Sequence, residues 1–153
     1  MNWYQIFVGV LPLLGVIVGG GITFLTQNNT LNKQMRRDSE KEKESQRIEK
    51  FLIYNDILKL DGEFQMQFYA GGGFTEFNIK NYRENFRPIF FSKYHLLDQE
   101  IAYNVREMDR IIMAADFFEE IEREQNDQLL LIFDKILTEI ENILKEYRLN
   151  NMN

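Results

Sequence analysis

Residues Ile6 to Leu25 read IFVGVLPLLGVIVGGGITFL, twenty positions without a charge. At about 1.5 Å per residue such a helix is about 30 Å long, the thickness of a bilayer's hydrocarbon core. Trp3 and Tyr4 precede it, where amphipathic rings settle at the headgroup level. Five glycines and Pro12 disfavour a helix in water but are common in membrane helices. A signal peptide needs a basic leading region and a small-residue cleavage site. No Lys or Arg occurs before Lys33, and no A-x-A pattern follows the run. The stretch therefore predicts a single transmembrane anchor, over residues 1–27.

Orientation follows from the flanks. Lys33, Arg36, Arg37, Lys41 and Lys43 crowd the C-terminal side, and the N-terminal side has no basic residue. The positive-inside rule then places the N-terminus outside and everything after the span in the cytoplasm, at the inner (cytoplasmic) cell membrane. Lys33, Arg36 and Arg37 are the candidate contacts to anionic lipid. Gly15, Gly19 and Thr23 fall four apart and form a small-residue face for transmembrane association. Such matches also arise by chance in a glycine-rich span.

Residues 28–47 form a charged juxtamembrane stalk. Within NKQMRRDSEKEKESQR (residues 32–47) only Met35 is large and apolar, so no face can be buried. Arg36 with Glu40, Glu40 with Lys43, and Glu44 with Arg47 are spaced to support a solvated helix. A flexible linker is the alternative.

Residues 48–153 predict a cytoplasmic bundle of about four antiparallel helices, making the chain all-α. The first helix is expected over about 48–69, with Ile48, Phe51, Leu52, Asn55, Leu58 and Phe68 near one stripe. Gly71-Gly72-Gly73 is the strongest break. A second helix starts near Asn78 and carries Tyr82, Phe86, Ile89, Phe90 and Tyr94 inward, with Pro88 kinking or interrupting it. A third, about 98–124, shows Ile101, Val105, Met108, Ile112 and Ala115 at spacings 4, 3, 4, 3. A fourth, about 127–148, shows Leu130, Phe133, Leu137, Ile140, Leu144 and Tyr147 at alternating threes and fours. Asp98 is a candidate N-cap for the third helix, and Asn126 or Asp127 for the fourth. No strand is expected; Phe90-Phe91 could form a short one but would lack a partner. The last two helices carry extra apolar positions, among them Ile111, Phe117, Phe118, Leu129, Leu131 and Ile136. These suit a bundle core or an oligomer interface.

The chemistry is sparse. With no cysteine and one histidine, the chain excludes disulfides, thiolate catalysis and a two-histidine metal site. No phosphate loop, dinucleotide fingerprint or nucleophile elbow occurs. His95 has Ser92 three residues before it where a di-iron bundle requires Glu. It could bond Asp98, three residues on, without forming a triad. No catalytic residue, metal or cofactor is expected, and no small-molecule substrate is evident. The chain reads as a non-enzyme.

Aromatics crowd residues 51–94, interleaved with Lys80, Arg83, Arg87 and Lys93, as in a single-strand nucleic-acid platform. Their helical spacing favours core packing instead. Residues 94–153 carry a net charge of -8 within a chain of net -6, which repels phosphate. No nucleic-acid partner is expected. Phe74 and Phe77 flank the glycines as an exposed tip or a lid on the bundle. Glu119 and Glu120 belong to an acidic patch, by default a solvated face. These four are the speculative partner-binding residues, on the last helices or the glycine tip.

The sequence thus predicts a single-pass interaction or regulatory protein (regulator, scaffold or defence/exclusion factor). Its bundle would meet a protein partner, or itself, at the lipid bilayer. The alternative is a membrane-active protein that oligomerises through its glycine-rich span.

Overall fold

The heptads of residues 101–115 and 130–147 fold as two long helices joined by only four residues, and the rest of the bundle is built onto that pair. The structure, a computed structural model, describes residues 3–150, with side chains from residue 27 onward except those of residues 29 and 70. The elements run α1 (Trp3–Glu63), β1 (Gln67–Gly71), β2 (Phe74–Phe77), α2 (Ile79–Asn81), a π-helical turn (Tyr82–Phe86), α3 (Arg87–Ser92), a 3-10 turn (Tyr94–Leu96), α4 (Gln99–Phe118) and α5 (Arg123–Asn150). The chain is mostly helical, as its periodicity predicts. The apolar stretch Ile6–Leu25 and the Gly15, Gly19, Thr23 face lie outside the residues whose side chains are described. Among the described residues no helix is long and apolar enough to cross a membrane.

The chain divides into two compact units, residues 1–45 and 46–153. In the first, residues 30–45 are exposed throughout, and Arg36 pairs with Glu40 at 3.2 Å, one helical turn away. The helix assignment runs through these residues without a break, so the flexible-linker alternative does not hold here. Like-spaced charges support a helix that has nothing to bury.

The second unit holds the core. From α1 it takes Ile53, Tyr54 and Ile57; from the middle segment Phe77, Tyr82, Phe86 and Phe90; from α4 Ile101, Val105, Met108, Ile111 and Ile112; from α5 Leu129, Phe133, Ile136, Ile140 and Leu144. The α4 seam matches its heptad. On α5 Phe133, Ile140 and Leu144 are buried as expected, but Leu129 and Ile136 take the inward places of Leu130 and Leu137, which are half-buried with Tyr147. On α1 the stripe is rotated: Ile48, Leu52 and Asn55 are exposed. Phe77, Phe86 and Phe133 meet edge-on, with ring centroids 5.6 and 5.2 Å apart. Each such pair adds about 0.5–1.5 kcal/mol beyond the area it buries.

Several expectations are corrected. The first helix stops at Glu63 rather than near 69, and Phe68 lies in β1. Two strands exist: β1 and β2 pair antiparallel, with Gln67 opposite Phe77 and Gly71 opposite Phe74. Gly72 and Gly73 form the two-residue turn with φ of 62° and 81°. Positive φ at both central residues is the requirement of a type I′ hairpin turn, which glycine meets without steric cost. The run that looked like a helix breaker is a strand connector. The Tyr69 hydroxyl accepts the Gly73 N–H at 2.7 Å and closes the turn.

Phe90 and Phe91 are helical, within α3. The second helical segment starts next to Asn78 as expected, and Asn78 caps it, its Oδ1 accepting the Asn81 N–H at 3.0 Å. Pro88 does not break this segment; it follows a π turn in which the Arg87 N–H reaches the Tyr82 carbonyl. Proline near the start of α3 has no helical N–H to lose.

Helix α4 ends at Phe118, not near 124, in a Schellman turn. Glu119 stands at φ 54°, its N–H bonding the Asp116 carbonyl, while the Glu120 N–H bonds that of Ala115. Helix α5 begins at Arg123, four residues before the expected start. The Gln125 side chain accepts the Glu122 N–H at 3.1 Å, one half of a capping box. Asn126 and Asp127 therefore lie inside the helix and are not its caps.

Candidate interaction surface

A polar clamp and a hydrogen-bonded asparagine fix the elements that frame the surface. Asp98 occupies the N-cap position of α4, but its carboxylate makes no cap bond. It accepts Lys50 Nζ at 3.0 and 3.1 Å and the Tyr54 hydroxyl at 2.7 Å, and its own N–H donates to that hydroxyl at 2.9 Å. Burial, then the neighbouring Asp98 carboxylate, push the Tyr54 phenol well above its usual range. Tyr54 thus stays a neutral donor. The clamp also settles His95: it is exposed in the 3-10 turn and makes no bond to Asp98. Nearby, Lys93 pairs with Glu49.

Asn126 is buried on α5. Its Oδ1 accepts the Phe77 N–H at 2.8 Å and its Nδ2 donates to the Thr75 carbonyl at 2.8 Å. One side chain thereby serves the backbone of β2 at two points. This takes Phe77 out of contention as a recognition tip, because it is a core residue packed on Phe133 and Tyr82. Phe74 is half-buried beneath the Arg123 guanidinium, 5.5 Å from the ring centroid. The hairpin folds back on the bundle, as the lid reading expected. Glu119 and Glu120 are exposed at the end of α4, where Glu119 supplies a turn conformation. Lys33, Arg36 and Arg37 are exposed on α1.

The aromatic-rich stretch supplies much of the core, while Phe68, Tyr69 and Phe91 remain exposed. Tyr54, Tyr82, Phe86 and Phe90 are fully buried. The interleaved arginines are held by α4: Arg87 Nε spans both Asp109 oxygens at 3.0 Å, and Arg83 pairs with Asp116. Burial, then the Asp109 carboxylate, raise the Tyr82 phenol far above its usual range.

Four of the exposed large apolar side chains fall on the outward face and C-terminal end of α4. Tyr103 is 66% exposed, Met113 70%, Phe117 82% and Phe118 71%. With Arg106 and Arg110 they form a second seam: Tyr103, Arg106, Arg110, Met113 and Phe117 at spacings 3, 4, 3, 4, turned away from the core seam of the same helix. Beside it, Phe91 stacks on Tyr94 at 5.2 Å with an interplanar angle of 10°, and Arg87 lies over Phe91 at 4.7 Å. Tyr94 is tied down by its hydroxyl, which donates to the Ala102 carbonyl at 2.7 Å. Phe91, Tyr94, Tyr103, Arg106, Arg110 and Met113 line a groove of about 790 Å³ along α4, which does not extend to Phe117 or Phe118. Glu107 pairs with Arg110, which draws the Glu107 carboxyl below its ordinary value. Arg106 has no ion pair among the described residues.

Reading the sequence marked Phe117 and Phe118 as surplus apolar positions but missed Tyr103, Arg106, Arg110 and Met113. Their signal was a second 3-4-3-4 line offset from the first. Among the described residues no group of His, Asp or Glu is arranged to hold a metal ion. Comparison of the chain with protein families, with curated proteins and with solved structures finds no match.

Proposed function

We propose that this chain is a single-pass, membrane-anchored interaction protein whose cytoplasmic bundle engages a protein through the outward face of α4. One observation carries the reading: Tyr103, Met113, Phe117 and Phe118 stand exposed on a rigid helix beside Arg106 and the stacked Phe91–Tyr94 pair. Aromatics, methionine and arginine are the residues enriched where protein interfaces store their affinity. Contiguous exposed apolar residues rimmed by polar ones mark binding sites. The anchor rests on the uncharged stretch Ile6–Leu25, and the orientation on the basic flank that starts at Lys33.

The test uses the full chain in membranes. A photo-activated cross-linker is placed at Tyr103 or Met113 on α4, and at Thr138 on the exposed side of α5 as a control. Discrete adducts from the two α4 positions and none from Thr138 are expected. Equal labelling from all three, or extraction of the chain from membranes by alkaline carbonate, would defeat the proposal.

A further inference from the structure

We infer that the occupant of the α4 groove is an acidic amphipathic helix of a protein partner, seated between α4 and the Phe91–Tyr94 stack with its carboxylates on Arg106, Arg110 and Arg87. The inference rests on the reading of α4 as the interaction surface and adds the chemistry of what that surface takes.

The sign comes from which member of each ion pair faces water. Asp109 is 16% exposed and its partner Arg87 49%; Glu107 is 27% exposed and its partner Arg110 73%. In each pair the carboxylate is the covered member and the guanidinium the one presented to solvent. A guanidinium carries five N–H donors in a fixed fork. Arg87 and Arg110 each spend Nε and one terminal nitrogen on their carboxylate, which leaves the other terminal nitrogen unspent among the described residues. Arg106 is exposed and has no ion pair among them, so its whole fork is open.

Two grooves on α5 have the opposite sign. Glu124 and Asp127 outnumber Arg123 in one, and Glu139 and Glu146 outnumber Lys145 in the other. A carboxylate-bearing ligand is therefore drawn to α4 and turned away from α5. Other polyanions fit less well. Residues 94–153 carry a net charge of -8 around the groove. A phosphate backbone or an anionic bilayer spreads its charge over a wide area and meets that repulsion, while a helix with a few carboxylates touches the groove alone.

The shape asks for a helix. From Tyr103 to Met113 the groove runs about 15 Å, roughly three turns at about 1.5 Å per residue. Its longer wall, α4, spends its backbone N–H and C=O groups within itself. An extended strand laid along that wall finds no backbone partners there, whereas a helix arrives with its own backbone satisfied. Phe91, Tyr94, Tyr103 and Met113 supply the apolar floor for one stripe of the occupant. Arg106 and Arg110 stand one turn apart and match acidic residues one turn apart beside that stripe.

The test uses the full chain in nanodiscs of zwitterionic lipid and two fluorescent synthetic helices of about four turns. One has leucine and tryptophan along a single stripe and glutamate beside it; its twin has lysine at every glutamate. By fluorescence anisotropy the acidic helix is expected to bind at least about tenfold tighter than its twin, and more weakly as salt rises. Arg106→Glu, at an exposed residue with no ion pair to break among the described residues, should weaken the acidic helix about tenfold and tighten the twin. Lys145→Glu, in a groove of α5, should leave both unchanged. Equal binding of the two helices, no binding of the acidic one, or full affinity in Arg106→Glu would overturn the inference. So would displacement of the acidic helix by a single-stranded oligonucleotide or by anionic vesicles as readily as by its own unlabelled form, since the groove would then take polyanions at large. If the acidic helix fails while photo-cross-linkers at Tyr103 and Met113 still give discrete adducts, the acidic occupant is refuted and the α4 surface stands. If the adducts are absent too, both fail.

Discussion

Replacing Asn126 with alanine should detach the hairpin from the bundle without touching the helical core. The two bonds it removes differ in cost. The Phe77 N–H is buried and would lose its acceptor, leaving an orphaned donor worth about 1–3 kcal/mol. The Thr75 carbonyl belongs to a half-buried residue that water can reach, so that loss is nearer about 0.5–1.5 kcal/mol. Together the substitution costs about 1.5–4.5 kcal/mol by this reckoning, a large fraction of the stability of an ordinary domain. Urea unfolding of the purified full chain in mild detergent, followed by far-UV circular dichroism, gives the total. Hydrogen exchange at the Phe77 amide assigns it to the hairpin. Asn126→Asp separates the two bonds. Its carboxylate still accepts from Phe77 but repels the Thr75 carbonyl when ionised, so its penalty should shrink in acid, where a protonated oxygen donates again. If Asn126→Ala costs under about 1 kcal/mol, less than one orphaned buried donor, and the Phe77 amide stays protected, the reasoning is wrong.

Three further outcomes follow from single residues. Glu119 holds a left-handed conformation that costs a non-glycine residue about 1–2 kcal/mol. Glu119→Gly should therefore stabilise the bundle by up to about 1 kcal/mol after the entropy loss of glycine, seen as a rise in Tm; an unchanged or lowered Tm would count against it. Tyr54→Phe leaves the Asp98 N–H without its acceptor and strips one donor from the carboxylate, at a cost of about 1–3 kcal/mol by urea unfolding. The carboxyl of Asp61 is raised above its ordinary value by desolvation, then by Glu141 and Asp134. A carboxyl raised in the folded state favours folding while protonated, and that contribution is lost as pH rises from about 4, the unfolded value, through the folded one. Asp61→Asn should therefore gain stability over the parent at pH 7 and little at pH 3. A pH-independent difference would remove this account.

The long helices were legible because periodicity is a property of many residues at once. Ile101, Val105, Met108, Ile112 and Ala115 agree with one another, and each lies buried where the pattern puts it. The hairpin was not read from the sequence, because three glycines in a row say that the chain turns without saying what it joins. The clue was local: Phe68-Tyr69 before the glycines and Phe74-Thr75 after them are strand-forming residues around a Gly-Gly pair. Asn126 was misassigned for a related reason. Asparagine is a good N-cap by propensity, and only tertiary structure shows that this side chain is spent on a strand about fifty residues earlier. Asp98 shows the same limit in milder form, since the backbone is at the cap while the carboxylate belongs to Lys50 and Tyr54. The outer seam of α4 was only partly legible, because arginine interrupts its apolar pattern.

The buried face of α1 has a consequence for synthesis. Its partners come late: Asp98 closes on Tyr54 and Lys50, Lys93 on Glu49, and the Tyr147 ring sits 4.2 Å from Phe51 near the far end of the chain. A growing polypeptide folds with what has already emerged. Ile53, Tyr54 and Ile57 are therefore made before the residues that cover them and stay uncovered until α5 has emerged. The hairpin of α4 and α5 can close locally across its four-residue turn, but α1 must wait for it. Truncation anywhere in α5 thus strands an apolar helix made long before, so premature termination should yield an aggregation-prone product rather than a smaller working one.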